Sequence, residues 1–367
     1  VVSPHQPRPR RRRYRPPHAR RCGRCQKEPR LNRKRLILFL KIALSLAVAW
    51  WLGKKVYEAW HGAATTKVVV DWRWGTLSTL GFCGSMLTSA LVWRALAARM
   101  GERGGNPHLP TLPLLGAYTF SQMGKYVPGK VALVLMRIER ASRFGMSAGV
   151  CTLATLLENA LYVVSGGLCG MLAIFRVLAE LRAQHTITES QQHLAWPLVI
   201  VALIAILAVC HPAILYGVIN GVLKGMKKDP IPPERRATLL TLIATVLGFF
   251  PCWLLGGLAL WASTRCVAPV DFSAALWFAG AYALSVVIGM ISFLPGGLGI
   301  REGVLGIAVT IQLAPILGHD DAIKLATAAA GLQRLFQIVA ELLMGAFGAA
   351  ITARRPTAAQ PAPANSR

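Results

Sequence analysis

SQMGKYVPGK, residues Ser121 to Lys130, sets a Pro-Gly pair, two lysines and a tyrosine inside an otherwise apolar segment. A second stretch of the same kind, SFLPGGLGIREG, runs from Ser292 to Gly303 and ends next to Arg301 and Glu302. Both interrupt a chain that is 54% hydrophobic and only 15% charged over 367 residues, against roughly 25% charged in an average soluble domain. The apolar residues fall in runs close to or above the roughly 20 residues that cross a bilayer. No alternating ten-residue pattern points to an outer-membrane barrel. The composition therefore predicts an all-α, polytopic helical membrane protein.

Spans are expected at about 36–57, 75–97, 147–175, 195–220, 237–263, 272–293, 296–317 and 322–351. The segment at about 111–136 is treated separately because Lys125, Pro128, Gly129 and Lys130 break it. Loop charge decides its course. With the amino terminus in the cytoplasm, Arg94, Arg99 and Arg103 fall inside, and so does KGMKKDPIPPERR (Lys224 to Arg236). A full crossing at 111–136 would push RIERASR (Arg137 to Arg143) outside, whereas a segment that dips in and returns keeps this basic loop inside, as the positive-inside rule requires. The same choice leaves the acidic Gly318–Asp321 stretch outside and Arg354–Arg355 inside. The expectation is eight spans, at least one re-entrant Pro-Gly-broken segment and two cytoplasmic termini in the cell membrane (plasma or inner). Whether 296–317 crosses or folds back stays open.

The net charge of +26 is concentrated: the first 35 residues hold 14 Lys or Arg and the single acid Glu28. With RPRRRRYRPP at its heart, residues 1–35 read as a disordered arm that attracts an anionic lipid surface. No stacking aromatics accompany it, so nucleic acid is not an expected partner. Residues 36–352 form the expected transmembrane domain, and the Ala- and Pro-rich 353–367 a disordered tail.

Backbone groups freed by a Pro-Gly break survive in a membrane only when buried in protein or facing a wet cavity. Two such segments in comparable positions point to a substrate site between them; the alternative is a pair of plain helix kinks. Candidate headgroup contacts at the first break are Lys125, Tyr126, Pro128, Gly129 and Lys130, and at the second Pro295, Gly296, Gly297, Arg301 and Glu302. Charged residues within apolar runs extend the set, because such residues face a cavity or one another. Glu158 shares a helical face with Tyr162 and Ser165, and Arg334 shares one with Gln337 and Glu341. Two uses are open for these: contact with a polar substrate, or internal pairing such as Arg334 with Glu302 or Arg301 with Glu341. For the two lysines the alternative is snorkelling to the interface; for Glu158 it is a buried ion pair or a proton relay.

No Walker A loop, dinucleotide fingerprint or HExxH occurs, nor a nucleophile elbow. Cys22 and Cys25 form one CxxC with no second pair nearby. His61, His108, His185, His193 and His319 read as loop residues, so neither cofactor nor metal is expected.

With these motifs in place, the chain resembles the transmembrane domain of lysylphosphatidylglycerol synthases, a flippase-like family. The resemblance rests on GKYVPGKV followed by a basic turn, the Glu158 helix, SFLPGGLGIREG and QRLFQIVAELL, in that order, and runs from about Leu36 to Thr352. It implies a membrane module that moves aminoacylated phosphatidylglycerol between leaflets. In full-length synthases a separate soluble carboxy-terminal domain makes that lipid from aminoacyl-tRNA. Here only a short tail follows the last span, so the expectation is a module without synthase activity that acts on an anionic or aminoacylated phospholipid or lipid-linked headgroup. Two alternatives remain: an accessory subunit docking a soluble transferase, and an intramembrane glycosyl or acyl transferase.

Overall fold

The apolar runs fold as helices, as lipid requires of a spanning chain whose backbone groups must be satisfied internally. The computed structural model describes residues 50, 54, 70–103, 109–126, 131–183, 188–225, 229–292, 297 and 299–353. In chain order the helices are α1 (Trp72–Arg103), α2 (Thr111–Ser121), α3 (Val131–Ser142), α4 (Ala148–Ala183), α5 (Glu189–Val209), α6 (Pro212–Gly225), α7 (Leu239–Gly248), α8 (Phe250–Arg265), α9 (Ala275–Ile291), α10 (Ile300–Leu317) and α11 (His319–Ala353). A 3₁₀ turn, Gln122–Tyr126, follows α2 directly. No strand occurs among the described residues.

Six stretches among the described residues are long and apolar enough to cross a membrane: Trp72–Met100, Ala148–Ala179, Pro233–Arg265, Phe272–Ile291, Ile300–Leu317 and His319–Ala353. The expected span at 36–57 lies outside the described residues apart from Trp50 and Lys54, as do the arm at 1–35, with Cys22 and Cys25, and the tail beyond Ala353. The expected span at 195–220 is instead two helices, α5 and α6, that part at Cys210 and His211. Pro212 has no N–H to donate and its ring crowds the preceding turn, so a helix restarts there rather than continuing. Pro251 acts in the same way within Pro233–Arg265, where α7 gives way to α8 at Phe249.

Small residues decide where the helices touch. Gly81 and Gly84 of α1 face Leu255 and Ala259 of α8, and a Cβ on Gly81 would lie 3.0 Å from that of Ala259. Ser78 and Ser263 bridge the same pair with a hydroxyl contact of 2.8 Å, and Ser85 donates to the Cys252 carbonyl at 3.0 Å. Gly257 of α8 lies directly against the backbone of Ala279 on α9, and Gly280 of α9 against Ala173 on α4. Such close approach is how membrane helices gain dispersion contacts and relieve their polar side chains without a hydrophobic effect between them. α11 extends this core, packing against α1, α2, α8 and α10.

Candidate functional site

α2, the 3₁₀ turn and α3 form a helical hairpin, and its course follows from its contacts along α11. Gly116 of α2 packs on Gly348 and Thr352, Met123 of the turn on Gly345, and Lys125 pairs with Glu341. Arg140 of α3 then donates back to the Thr352 hydroxyl at 2.6 Å. The chain therefore descends beside α11 and returns to the level at which it entered. Glu341 lies eleven residues before Thr352, about 16 Å along the helix axis and roughly half of a ~30 Å hydrocarbon core. The turn is tight: a Cβ on Gly124 would lie 2.5 Å from the Leu133 amide nitrogen at the start of α3.

This hairpin is fastened by Arg137, a charged residue a little beyond the first break that the sequence also places at the head of the basic stretch Arg137–Arg143. Arg137 belongs to helix α3 and is 1% exposed. Its Nη1 pairs with Glu158 Oε2 on α4, and its Nε donates to Ser121 Oγ at 3.0 Å. Tyr118 donates to the other Glu158 oxygen at 2.6 Å, while the guanidinium lies 4.1 Å from the Tyr118 ring and 5.0 Å from that of Trp93. A carboxylate in a greasy helix demands such a partner. Arg137 thus lies on the inward side of helix α3 and not in a cytoplasmic loop.

The second broken segment approaches the same level from the other direction. α9 and α10 run antiparallel, with Trp277 Nε1 donating to the Ala308 carbonyl at 3.3 Å near one end and Gly289 against Arg301 at the other. Between them Gly297 (φ 67°) and Gly299 (φ 85°) take left-handed backbone conformations that other residues rarely adopt. α10 opens opposite Gln337 of α11, and the first hairpin lines the turns of α11 that remain. Lys125, just before the first break, and Arg301, just after the second, thus reach neighbouring turns at the centre of α11.

At the junction, Arg301 Nη2 donates to Gln337 Oε1 at 3.3 Å, Gln333 to the same oxygen at 3.1 Å, and Gln337 Nε2 to Glu341 Oε1 at 2.9 Å. Lys125 Nζ lies 2.5 Å from Glu341 Oε1. Arg334 Nε faces Glu302 Oε1 at 3.6 Å, and Glu302 Oε2 caps α10 by accepting from the Gly299 amide at 2.7 Å. Arg301, Glu302, Gln333, Arg334, Gln337 and Glu341 are all buried, whereas the Lys125 side chain keeps 25% exposure. The stem of Arg301 is clamped between glycines: a Cβ on Gly289 would lie 2.5 Å from its Cγ. Tyr282, with the Arg301 guanidinium 5.7 Å from its ring, begins an aromatic wall continued by Trp253 and Tyr162.

The structure thus brings together Lys125, Arg301, Glu302, Arg334 and Glu341 of the residues singled out in the sequence, with Gly297 in the adjoining turn. The Arg334–Glu302 pairing occurs as drawn, whereas Arg301 reaches Glu341 only through Gln337. Glu158 belongs to the Arg137 fastening instead. Pro128, Gly129, Lys130, Pro295 and Gly296 lie outside the described residues, and of Tyr126 only the backbone is described. Gln333, Tyr282 and Gly289 went unmarked in the sequence, since neutral side chains in apolar runs give no charge signal. Among the described residues no group of His, Cys, Asp and Glu is placed to hold a metal.

The family model for the lysylphosphatidylglycerol synthase TM region matches residues 38–345 of the 367. The chain belongs to that family. The match covers α1 to α10, both hairpin tips and α11 as far as Gly345, so the junction lies wholly within the family region. No curated protein matches the chain.

The clamp around Arg301 gives a separable test. Gly289→Ala puts a methyl group 2.5 Å from Arg301 Cγ and 2.9 Å from its Cδ, so the buried middle of the stem has to give way, an overpacking cost on the order of 1–3 kcal/mol. Alanine also gains about 1 kcal/mol of helix propensity over glycine. The propensity gain offsets part of the overpacking, so the variant is expected to melt only a few degrees below the wild type while any activity that depends on Arg301 falls several-fold. Loss of both together would show instead that Gly289 serves packing alone.

Proposed function

We propose that this membrane-embedded family member binds the polar headgroup of a phospholipid at the junction of the two hairpins and carries it between leaflets. The observation that carries the reading is that Lys125 beside the first broken segment and Arg301 beside the second, reached from opposite directions, join one buried charged cluster of which Lys125 is a partly exposed member. Irregular backbone at membrane depth is tolerated where it serves such a site. In this reading no covalent bond changes, and movement is downhill or coupled to an ion. Both termini lie on the cytoplasmic side of the cell membrane, since that places Arg94–Arg103 and Lys224–Arg236 inside; the first hairpin then enters from the cytoplasm.

The charge of the first 35 residues favours a second role alongside this one: contact with an anionic membrane surface, or seating of a soluble transferase partner.

The test is lipid scrambling in liposomes containing the full chain, with tail-labelled lipids of varied headgroup and external quenching. Headgroup-dependent loss of protected label is expected, reduced at least about tenfold by Arg301→Gln, the equivalent of ~1.4 kcal/mol. Folded wild-type protein that moves none of the lipids would overturn the translocator reading and leave the docking role.

A further inference from the structure

We infer that the junction accepts a phosphodiester of net negative charge and rejects a headgroup of net positive charge. This rests on the headgroup-site reading above and narrows it to one chemical class, away from the cationic aminoacyl lipids that the family name suggests.

The first ground is the charge inventory. Among the described residues the junction holds three cations, Lys125, Arg301 and Arg334, against two carboxylates, Glu302 and Glu341. Among these described residues one positive charge is in surplus, in surroundings where an unbalanced charge is costly. The Arg137–Glu158 pair balances itself and contributes nothing to this excess.

The second ground is which hydrogen-bonding groups are already used. Glu341 accepts from Lys125 and from Gln337. Glu302 accepts from the Gly299 amide and faces Arg334. Glu302 Oε1 faces Arg334 Nε at 3.6 Å, beyond hydrogen-bond length, so Arg301 Nε and Arg334 Nε are both buried with no hydrogen-bond partner, in residues only 9% and 5% exposed. A buried guanidinium N–H calls for an acceptor, and planar guanidinium donors match the oxygens of a phosphate group. An ammonium headgroup would bring further donors toward three cations, while both carboxylates among the described residues already face a cation of the cluster.

The third ground is placement. Arg301 is held by the glycine clamp, so its donors are set before a ligand arrives, and Lys125, in the 3₁₀ turn Gln122–Tyr126, is a partly exposed member of the cluster. Phosphate oxygens at this position are supplied either by a lipid headgroup or by a free phosphate. The depth of the junction and the exposed apolar residues around it, including Leu335, Leu342 and Leu343, favour the lipid.

The test is competition for tail-labelled phosphatidylglycerol bound to the full chain in neutral detergent micelles. Unlabelled phosphatidylglycerol is expected to displace the label, while a trimethylammonium lipid with the same tails and lysylated phosphatidylglycerol are at least about tenfold weaker. Millimolar inorganic phosphate and glycerol 3-phosphate should compete poorly. Displacement by these soluble anions as effective as by the lipid would overturn the lipid assignment. Arg301→Gln and Arg334→Gln should each weaken phosphatidylglycerol at least about tenfold and narrow the gap to the cationic lipids. The wild-type headgroup series decides the matter even if a variant fails to fold. Equal or tighter binding of the cationic lipids, together with active scrambling, would sink the charge inference and leave the translocator reading standing. Absence of both binding and scrambling would end both.

Discussion

Arg137→Ala is expected to destabilise the protein by about 3–5 kcal/mol, because removing one member of a buried pair leaves the other charge uncompensated. Glu158 would keep only the Tyr118 hydroxyl, and Ser121 would lose the donor that joins the end of α2 to α3. The effect should be local before it is global: the turn Gln122–Tyr126 and α3 loosen from α4 first. Thermal unfolding in detergent should show a fall on the order of 5–10 °C. Proteolysis should cut earlier near the hairpin than elsewhere. A double variant, Arg137→Met with Glu158→Leu, should recover most of the loss, since replacing both members with apolar groups removes the desolvation cost along with the attraction. A single variant as stable as the wild type would mean that Glu158 is served by water or another donor, and the fastening role assigned to Arg137 would be withdrawn.

Glu341→Lys should be as severe and should act at the junction itself. The cluster would then hold four cations, Lys125, Arg301, Arg334 and the new lysine, against Glu302 alone. The substitution removes the partner of Lys125 and the acceptor of Gln337 together. A cost of about 3 kcal/mol or more is expected, with loss of monodisperse protein in size-exclusion chromatography. Adding Lys125→Glu restores the ion pair with its polarity reversed and should recover much of the folded yield. Because the Lys125 side chain is 25% exposed, that recovery is expected to be partial. Failure of the double variant to recover anything would show that Glu341 matters for reasons other than Lys125.

What could be read from the sequence divides along physical lines. Apolar runs announce helices without ambiguity because lipid leaves the backbone no other choice, so the all-helical architecture was legible, and departures from α-helix are seen beside the two Pro-Gly pairs, in the 3₁₀ turn Gln122–Tyr126 and at Gly297 and Gly299. The charged residues Lys125, Arg301, Glu302, Arg334 and Glu341 stood out because charge inside an apolar run is rare. Partner choice was not legible. Arg137 and Lys125 look alike in the sequence, yet one is sealed under Tyr118 and Trp93 while the other sits at a hairpin tip. Gly289 was invisible for a different reason: its role is to be small beside Arg301, and only the packing of α9 on the α10 turn reveals that. The division of 195–220 at Pro212 had a local signal, but one that membrane helices often override.

The most direct test of the account is photo-crosslinking with phosphatidylglycerol that carries a diazirine on its headgroup, in bilayers containing the full chain, followed by mass-spectrometric mapping. The account predicts label on the inward face of α11, at Gln333, Arg334, Gln337 and Glu341, and on the hairpin tip around Lys125. Label confined to the outward-facing Leu335, Leu342 and Phe347 or to the helix ends would contradict it.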